Sequence, residues 1–483
     1  MELPDLDTTY DLVLVGTGFA STFFAHEYLA LAPANARVLF LERGEPRSHA
    51  WQLANRGALE DEAKRSIENP DADRKPWRFA LAHGGSSNCW VGNTPRMLPE
   101  DFELRSRYGV ARDWPLGYAE LEPWYARAEA LLDVAGPDNT ALYPRSTPYP
   151  QPPQLLQTPD LALAAAFPGQ FFALPTARAS RPTATRPACC GNQVCTLCPV
   201  EAKWTVANGM REVFADPRVR VIHGARVRAF ELESGRARAA LFAHDGRERR
   251  AHGEFFALGA NAIFNPVILA ESGLDHPELG RGLVEQASVL VHASLRGMRG
   301  FDGVTIQTGH GYMLYGGEHR RERAAGLIET HNRPELRMER GRWREILRFK
   351  VIVEDLRRAE NRVEPSGDPE RVARTRWTGV SDYSQRAFDA LPRELERVLA
   401  PLPVERIEIG RTLTPTENHS LGTVVMGADP ASSVVDAELV HHRVRNLAVL
   451  GGSAFPTAAP ANPTLTLCAL ALRSARRVFG AAA

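Results

Sequence analysis

"YDLVLVGTGFASTFFAHEYL", Tyr10 to Leu29, reads as a buried strand, a glycine turn and a helix, and "RVLFLERG", Arg37 to Gly44, follows as a second strand. Together they make a βαβ unit, which sets an α/β fold class built on a parallel sheet. The glycines have separate jobs in the dinucleotide-binding version of this unit. Gly16 makes the tight turn, and Gly18 lets the backbone approach a pyrophosphate at the helix N-terminus.

Glu42 ends the second strand, at the distance expected of a carboxylate that meets ribose hydroxyls, and no arginine directly replaces it. FAD or NAD therefore fits better than NADP. The third glycine of the usual pattern is replaced by Ser21, small enough to keep helix and strand in close packing. The plain alternative is an ordinary βα turn.

The chain has 483 residues, more than one hydrophobic core usually serves, so two or more lobes are expected. Lys and Arg together number 58, as do Asp and Glu, so the formal net charge is zero and long-range attraction to nucleic acid or anionic membrane is disfavoured. "MELPDLDTT" leads straight into the first strand without the basic start and apolar run of a signal peptide, and no apolar run is long enough to span a bilayer. A cytoplasmic location is expected, with export alongside a signal-bearing partner as the alternative.

A polar stretch from about Ser48 to Arg78 reads as helical and surface-lying. "HGGSSNCWVGNTPR", His83 to Arg96, is too polar for core and too glycine-rich for a regular element, so it reads as a loop fitted against something. From Glu100 to Leu132 the chain shows a turn at Asp113 to Pro115 and then a helix with apolar residues at helical spacing. Residues 133 to 188 are proline-rich and lack periodicity.

"GGSSNCWVGNTPR", "EDFELRS" and "DWPLGYAELEPWYARAE" resemble the glucose-methanol-choline (GMC) oxidoreductase superfamily, and within it the bacterial sugar and polyol dehydrogenases. The resemblance covers roughly residues 8 to 130, 187 to 290 and 408 to 480. It implies a discontinuous Rossmann-like FAD-binding domain, residues 1–130, 187–290 and 408–483. Residues 131–186 and 291–407 then form a substrate-binding α+β domain on an antiparallel sheet, over the flavin. Within the second lobe Tyr312, Tyr315, His319 and Trp343 are candidates to line a sugar pocket, against a surface or core place for each.

"CCGNQVCTLCPVEAKW" crowds Cys189, Cys190, Cys195 and Cys198 into ten positions. Such clustering argues for metal or redox chemistry over a structural disulfide, with iron a better fit than zinc because no second CxxC or histidine pair completes a finger. The segment resembles the cysteine loop of sugar dehydrogenases whose flavoprotein subunit carries an iron–sulfur cluster, making Cys190, Cys195 and Cys198 candidate ligands and an electron-accepting protein subunit a candidate partner. Two residues separate Cys195 from Cys198, where the cluster-bearing relatives have three. A packing loop over the flavin, or a disulfide, is the competing reading.

"GEFFALGANAIFNPVILAESG" is a strand entering a helix, and by resemblance Gly259 and Ala260 lie near the cofactor. "GRGLVEQASV" carries Gln286 where the family more often has histidine, and the sequence assigns that glutamine no role. The last strong signal is "NHSLGTVVMG", Asn418 to Gly427, followed by "LAVLGGSAFPTAAPANPTLTLCALAL". Asn462 reads as a helix N-cap, Pro463 as the first helical residue, and Leu465, Cys468, Ala469 and Leu472 recur on one face.

The resemblance makes His419 and Asn462 the pair that faces the substrate carbinol, and adds Gly85, Ser86, Asn88, Gly452, Ser453, Pro463 and Thr464 to the cofactor-binding set. An imidazole suits the proton step and an asparagine the orienting of the hydroxyl, since an amide is no base. A noncovalent flavin is expected, although some relatives tether FAD through a histidine in the loop where this chain has Cys89, with His83 six residues before it. The expected activity is oxidation of an alcohol group on a sugar, glycoside or polyol, by a dehydrogenase more than an oxidase. A lyase with non-redox FAD is the reading from another class.

Overall fold

A computed structural model describes residues 4–138 and 142–480, so the first three residues of the acidic opening and three of the proline-rich stretch lie outside the described residues. The opening βαβ unit forms as read: β1 is Thr9–Val15, α1 is Phe19–Leu31 and β2 is Val38–Leu41, with β1 and β2 parallel in the register Leu12 to Val38. Leu12, Val13 and Leu14 of β1 and all four residues of β2 have no exposed surface, as strands covered on both faces require.

This sheet gathers its strands from distant parts of the chain. Val219–Ile222 pairs parallel with β2, and the end of the twelve-residue strand Arg247–Leu258 pairs parallel with β1. The other edge of that long strand is divided. Residues 247–252 pair antiparallel with Arg236–His244, and Phe256 to Leu258 pair parallel with Leu447–Val449. The hairpin partner Arg226–Glu233 closes the meander.

α1 packs against the C-terminal helix Thr464–Phe479, which packs in turn against Tyr118–Leu131. Phe479 joins Phe24, Tyr28 and Phe255 in edge-on contacts. A buried carboxylate ties the three helices together: Glu27 of α1 pairs with Arg127 at 2.5 Å and Arg476 at 2.6 Å. Both arginines keep partial exposure, so much of the desolvation falls on Glu27.

The second sheet is antiparallel throughout, in the order Val404–Ile409, Ala287–Leu295, Ile346–Val353, Gly326–His331, Gln307–Leu314 and Phe171–Ala173. The helix Asp382–Leu399 covers it, burying Leu391, Leu395 and Val398 against Val289, Val291, Phe349 and Val351. This helix begins at a capped end, where Ser381 Oγ accepts from the Ser384 amide. The proline-rich stretch thus supplies both an edge strand and the short helix Thr158–Ala166, neither of which the sequence pattern announces.

Tyr312, Tyr315, His319 and Trp343 do not line the cleft described below. Tyr315 is fully buried and donates to Asp101 Oδ2 at 2.7 Å, and Tyr312 packs between it and Phe172. His319 borders a separate hollow beneath the Asp382–Leu399 helix, and Trp343 is half exposed on a loop. The polar face of the second sheet, contributed by residues the sequence did not single out, takes their place.

Candidate active site

One cleft of about 570 Å³ runs from the turn after β1 to the second sheet. Gly16 and Gly18 line it, with Glu42, Gly85, Ser86, Gly259, Ala260, Gly452, Pro463 and Thr464. Gly16 has φ +85°, and a Cβ there would stand 2.8 Å from the Gly259 carbonyl oxygen, so the turn admits no side chain. A Cβ on Gly18 would meet nothing within 4 Å. The backbone is open to close approach there.

Glu42 is 5% exposed, and its carboxylate accepts from the Thr17 amide at 2.8 Å, the Thr17 hydroxyl at 2.7 Å and the Gly44 amide at 2.7 Å. Burial raises its pKa, and these bonds oppose the rise. A fixed carboxylate at the end of the second strand, an open approach at Gly18 and a helix N-terminus on the far wall fit a flavin dinucleotide.

Ser21, Asn88 and Ser453 stand behind the wall instead of on it. Ser21 donates to the Val15 carbonyl at 3.2 Å and packs on Gly259, the close helix-to-strand contact expected of a small residue. Asn88 donates to the carbonyls of His83 and Gly85 and so holds the loop shape. Ser453 accepts from Asn265 Nδ2 at 2.8 Å.

At the other end of the cleft, His419 and Asn462 share one lining with Asn93, Gln307, Glu329, Lys350 and Glu417. His419 keeps part of its surface open to the cleft, while the protein massed around the imidazole lowers its pKa to about 4. Its Nδ1 lies 3.0 Å from Gln286 Oε1, and its amide donates to Glu285 Oε2 at 3.0 Å. Glu285 is fully buried and paired with Lys75.

The C-terminal helix begins one residue later than the sequence suggested. Pro463 occupies the cap position and Thr464 the first turn, so Asn462 is not the cap. Its side chain is instead buried with Oδ1 unpartnered. A buried amide oxygen without a partner is costly unless something else supplies one, and a hydroxyl in the cleft would.

The polar wall opposite is held by hydrogen bonds and an ion pair. Glu329 accepts from Asn93 Nδ2 at 2.7 Å and Gln307 Nε2 at 3.2 Å; burial raises its pKa, but His310 and His331 beside it outweigh that and hold it well below the usual range. Lys350 donates to both oxygens of Glu417, at 2.8 and 3.1 Å. Of these residues only Asn93 sits in a quoted motif, although Glu417 is two positions from His419.

The cysteine loop does not assemble a metal site. All six cysteines are free, and among the described residues no group of three or more His, Cys, Asp or Glu side chains converges on a point that could hold a metal ion. Cys190, Cys195 and Cys198 belong to no such group, so the described residues lend an iron–sulfur cluster no support. Thr196 of the same loop lines the cleft, and the carbonyls of Thr196, Asn88 and Trp90 all accept from the buried ammonium of Lys203. The loop is a cover pinned by that lysine. Cys89 also lines the cleft, with its thiol pushed up to about 11 by burial, and His83 lies away from it, 3.2 Å from His223.

A sequence profile described as GMC oxidoreductase matches residues 353–471, the stretch that carries both His419 and Asn462. Over that stretch the chain carries the C-terminal domain of GMC oxidoreductases. Along 97% of both chains it is 26% identical to the fructose dehydrogenase large subunit of Gluconobacter japonicus. Paromamine 6'-oxidase of Streptomyces fradiae is 27% identical over 99% of this chain and 92% of that protein. Among solved structures, pyridoxine 4-oxidase superimposes with a TM-score of 0.69 over 97% of this chain and 99% of that one, at 19% identity, which speaks for the fold. GMC oxidoreductases bind FAD, in agreement with the cleft, and act on alcohol groups.

Proposed function

We propose that the protein oxidises a secondary or hemiacetal alcohol of a sugar, glycoside or polyol to the carbonyl, acting as a dehydrogenase. The observation that carries this reading is the meeting of His419 and the unpartnered Asn462 in the cleft whose other end has the shape for FAD. FAD held along Gly16, Gly18 and Glu42 would supply the acceptor for the hydride of the carbinol carbon. His419 takes the hydroxyl proton, and its depressed basicity keeps it neutral and ready at physiological pH. Asn462 holds a polyhydroxylated substrate in place by accepting, at its unpartnered Oδ1, from a hydroxyl other than the one whose proton His419 takes. The residues of the second sheet, with 131–186 and 291–407 as the substrate lobe, supply the polar wall that a polyhydroxylated substrate needs.

The relatives' names support the substrate class, since they include fructose dehydrogenase and paromamine 6'-oxidase. The former is called a large subunit, which supports a partner subunit for this chain as well. The test is anaerobic flavin bleaching across a panel of sugars, glycosides and polyols. His419→Ala should slow reduction by ~10²–10⁴-fold, the usual weight of a positioned base. A panel that never bleaches the flavin would overturn the redox reading in favour of a lyase, and rapid reoxidation by oxygen would make the enzyme an oxidase.

A further inference from the structure

Gln286 has no place in the sequence motifs, yet it is 1% exposed and makes three hydrogen bonds at the centre of the site. Its Nε2 lies 2.7 Å from the Ala459 carbonyl oxygen and 3.0 Å from that of Ala461. Carbonyl oxygens only accept, so the amide atom facing them must be the NH₂ group. That leaves the amide oxygen facing His419 Nδ1 at 3.0 Å. An oxygen with no proton to give requires a donor across that contact, so Nδ1 must carry the hydrogen.

We propose that Gln286 is a positioning residue that fixes the tautomer of His419, holding the hydrogen on Nδ1 so that Nε2 presents its lone pair as the base. The inference rests on the reading of His419 as base, and adds how that base is made ready. Two carbonyls from the loop that enters Asn462 orient the glutamine, and the glutamine orients the imidazole. One amide therefore links both members of the pair: its nitrogen is held by Ala461, next to Asn462, and its oxygen by His419.

The arrangement works because each link is directional. Were Gln286 rotated to place its oxygen against Ala459 and Ala461, two acceptors would face a third, and the amide NH₂ would point at Nδ1 and demand its lone pair. The hydrogen would then move to Nε2, the atom that must take the substrate proton. The two carbonyls exclude that state.

The test uses the holoenzyme labelled with [¹⁵N]histidine near pH 7.5, with His419 assigned by its disappearance in His419→Gln. In the unaltered protein Nδ1 should resonate as a protonated nitrogen and Nε2 as a bare one. The reverse pattern would overturn the proposal directly, with no variant needed. Gln286→Met, which keeps the side-chain length and removes the acceptor, should shift His419 to the other tautomer or to a mixture. It should also slow anaerobic flavin reduction ~10–100-fold, the scale of lost outer hydrogen bonds to a working imidazole. An unchanged tautomer and rate in Gln286→Met would refute the role of Gln286 even if the wild-type pattern is as expected. If that variant fails to retain flavin, the wild-type spectrum decides. An Nδ1–H signal in an enzyme whose His419→Ala variant reduces flavin at full rate would sink the base assignment and leave the tautomer assignment standing.

Discussion

Replacing Lys75 by Met should expose how much the site depends on one buried ion pair. The Lys75 side chain is 7% exposed and that of Glu285 0%. Glu285 also accepts from the Thr416 hydroxyl at 3.1 Å and from the His419 amide at 3.0 Å, so the pair holds the backbone of the proposed base. Lys75→Met leaves a buried carboxylate with no cation, which costs ~3–5 kcal/mol. It also removes the ammonium from beside the Trp77 and Trp377 rings, 5.1 and 5.3 Å away. An unfolding entropy of about 2.1 cal/mol/K per residue amounts to ~1 kcal/mol/K over a chain this long. The melting temperature should therefore drop by ~3–5 °C in scanning calorimetry. Lys75→Met with Glu285→Gln should recover most of that loss, because the glutamine oxygen still accepts from His419 and Thr416 without a charge to compensate. A single variant that melts within about 1 °C of the unaltered protein, or a double variant no better than the single, would refute the reasoning.

Burial lowers His419 from its free pKa of 6.5 to about 4, so the neutral base persists as pH falls. Stopped-flow flavin reduction should stay level down to about pH 5 and halve near pH 4, whereas a midpoint near 6.5 would contradict the geometry. Gly259→Ala would place a Cβ 2.1 Å from Ser21 Oγ, so the purified variant should lose flavin, measured by the ratio of absorbance at 450 and 280 nm. Adding Ser21→Gly should restore part of it. Cys190→Ser and Cys198→Ser should leave anaerobic flavin reduction unchanged, and iron with acid-labile sulfide should stay far below the ~3–4 atoms per flavin of a cysteine-held cluster.

The parts legible in the sequence are those that local rules settle. The turn at Gly16 is forced by backbone geometry and the C-terminal helix by the spacing of Leu465, Cys468, Ala469 and Leu472, whereas His419 and Asn462 are singled out by the resemblance alone, and the fold brings both to one cleft. What stayed hidden depends on residues far apart in the chain. Gln286 acquires meaning from a histidine 133 positions away and a carbonyl 175 away. Glu329 and Lys350 look like ordinary alternating residues of antiparallel strands until neighbouring strands turn them to one cleft. The cysteines misled for the opposite reason. Closeness in sequence suggested a metal site, but among the described residues no such group forms, and the segment is anchored at the Thr196 carbonyl by Lys203. Tyr312 and Tyr315 look like pocket residues from their chemistry alone, and packing turned them inward.

The divided edge of the long strand Arg247–Leu258 bears on how the protein is made. Once residue 258 leaves the ribosome, β1 has partners on both sides, but Phe256 to Leu258 still have an open edge whose partner is Leu447–Val449. Roughly 190 residues must be synthesised in the interval, ~10–40 s at usual elongation rates. During that time a buried-type apolar edge stands unpaired, the kind of surface that recruits the wrong strand. Nascent chains should lean on chaperones in that window, and any truncation ahead of residue 447 should yield aggregates instead of a smaller folded protein.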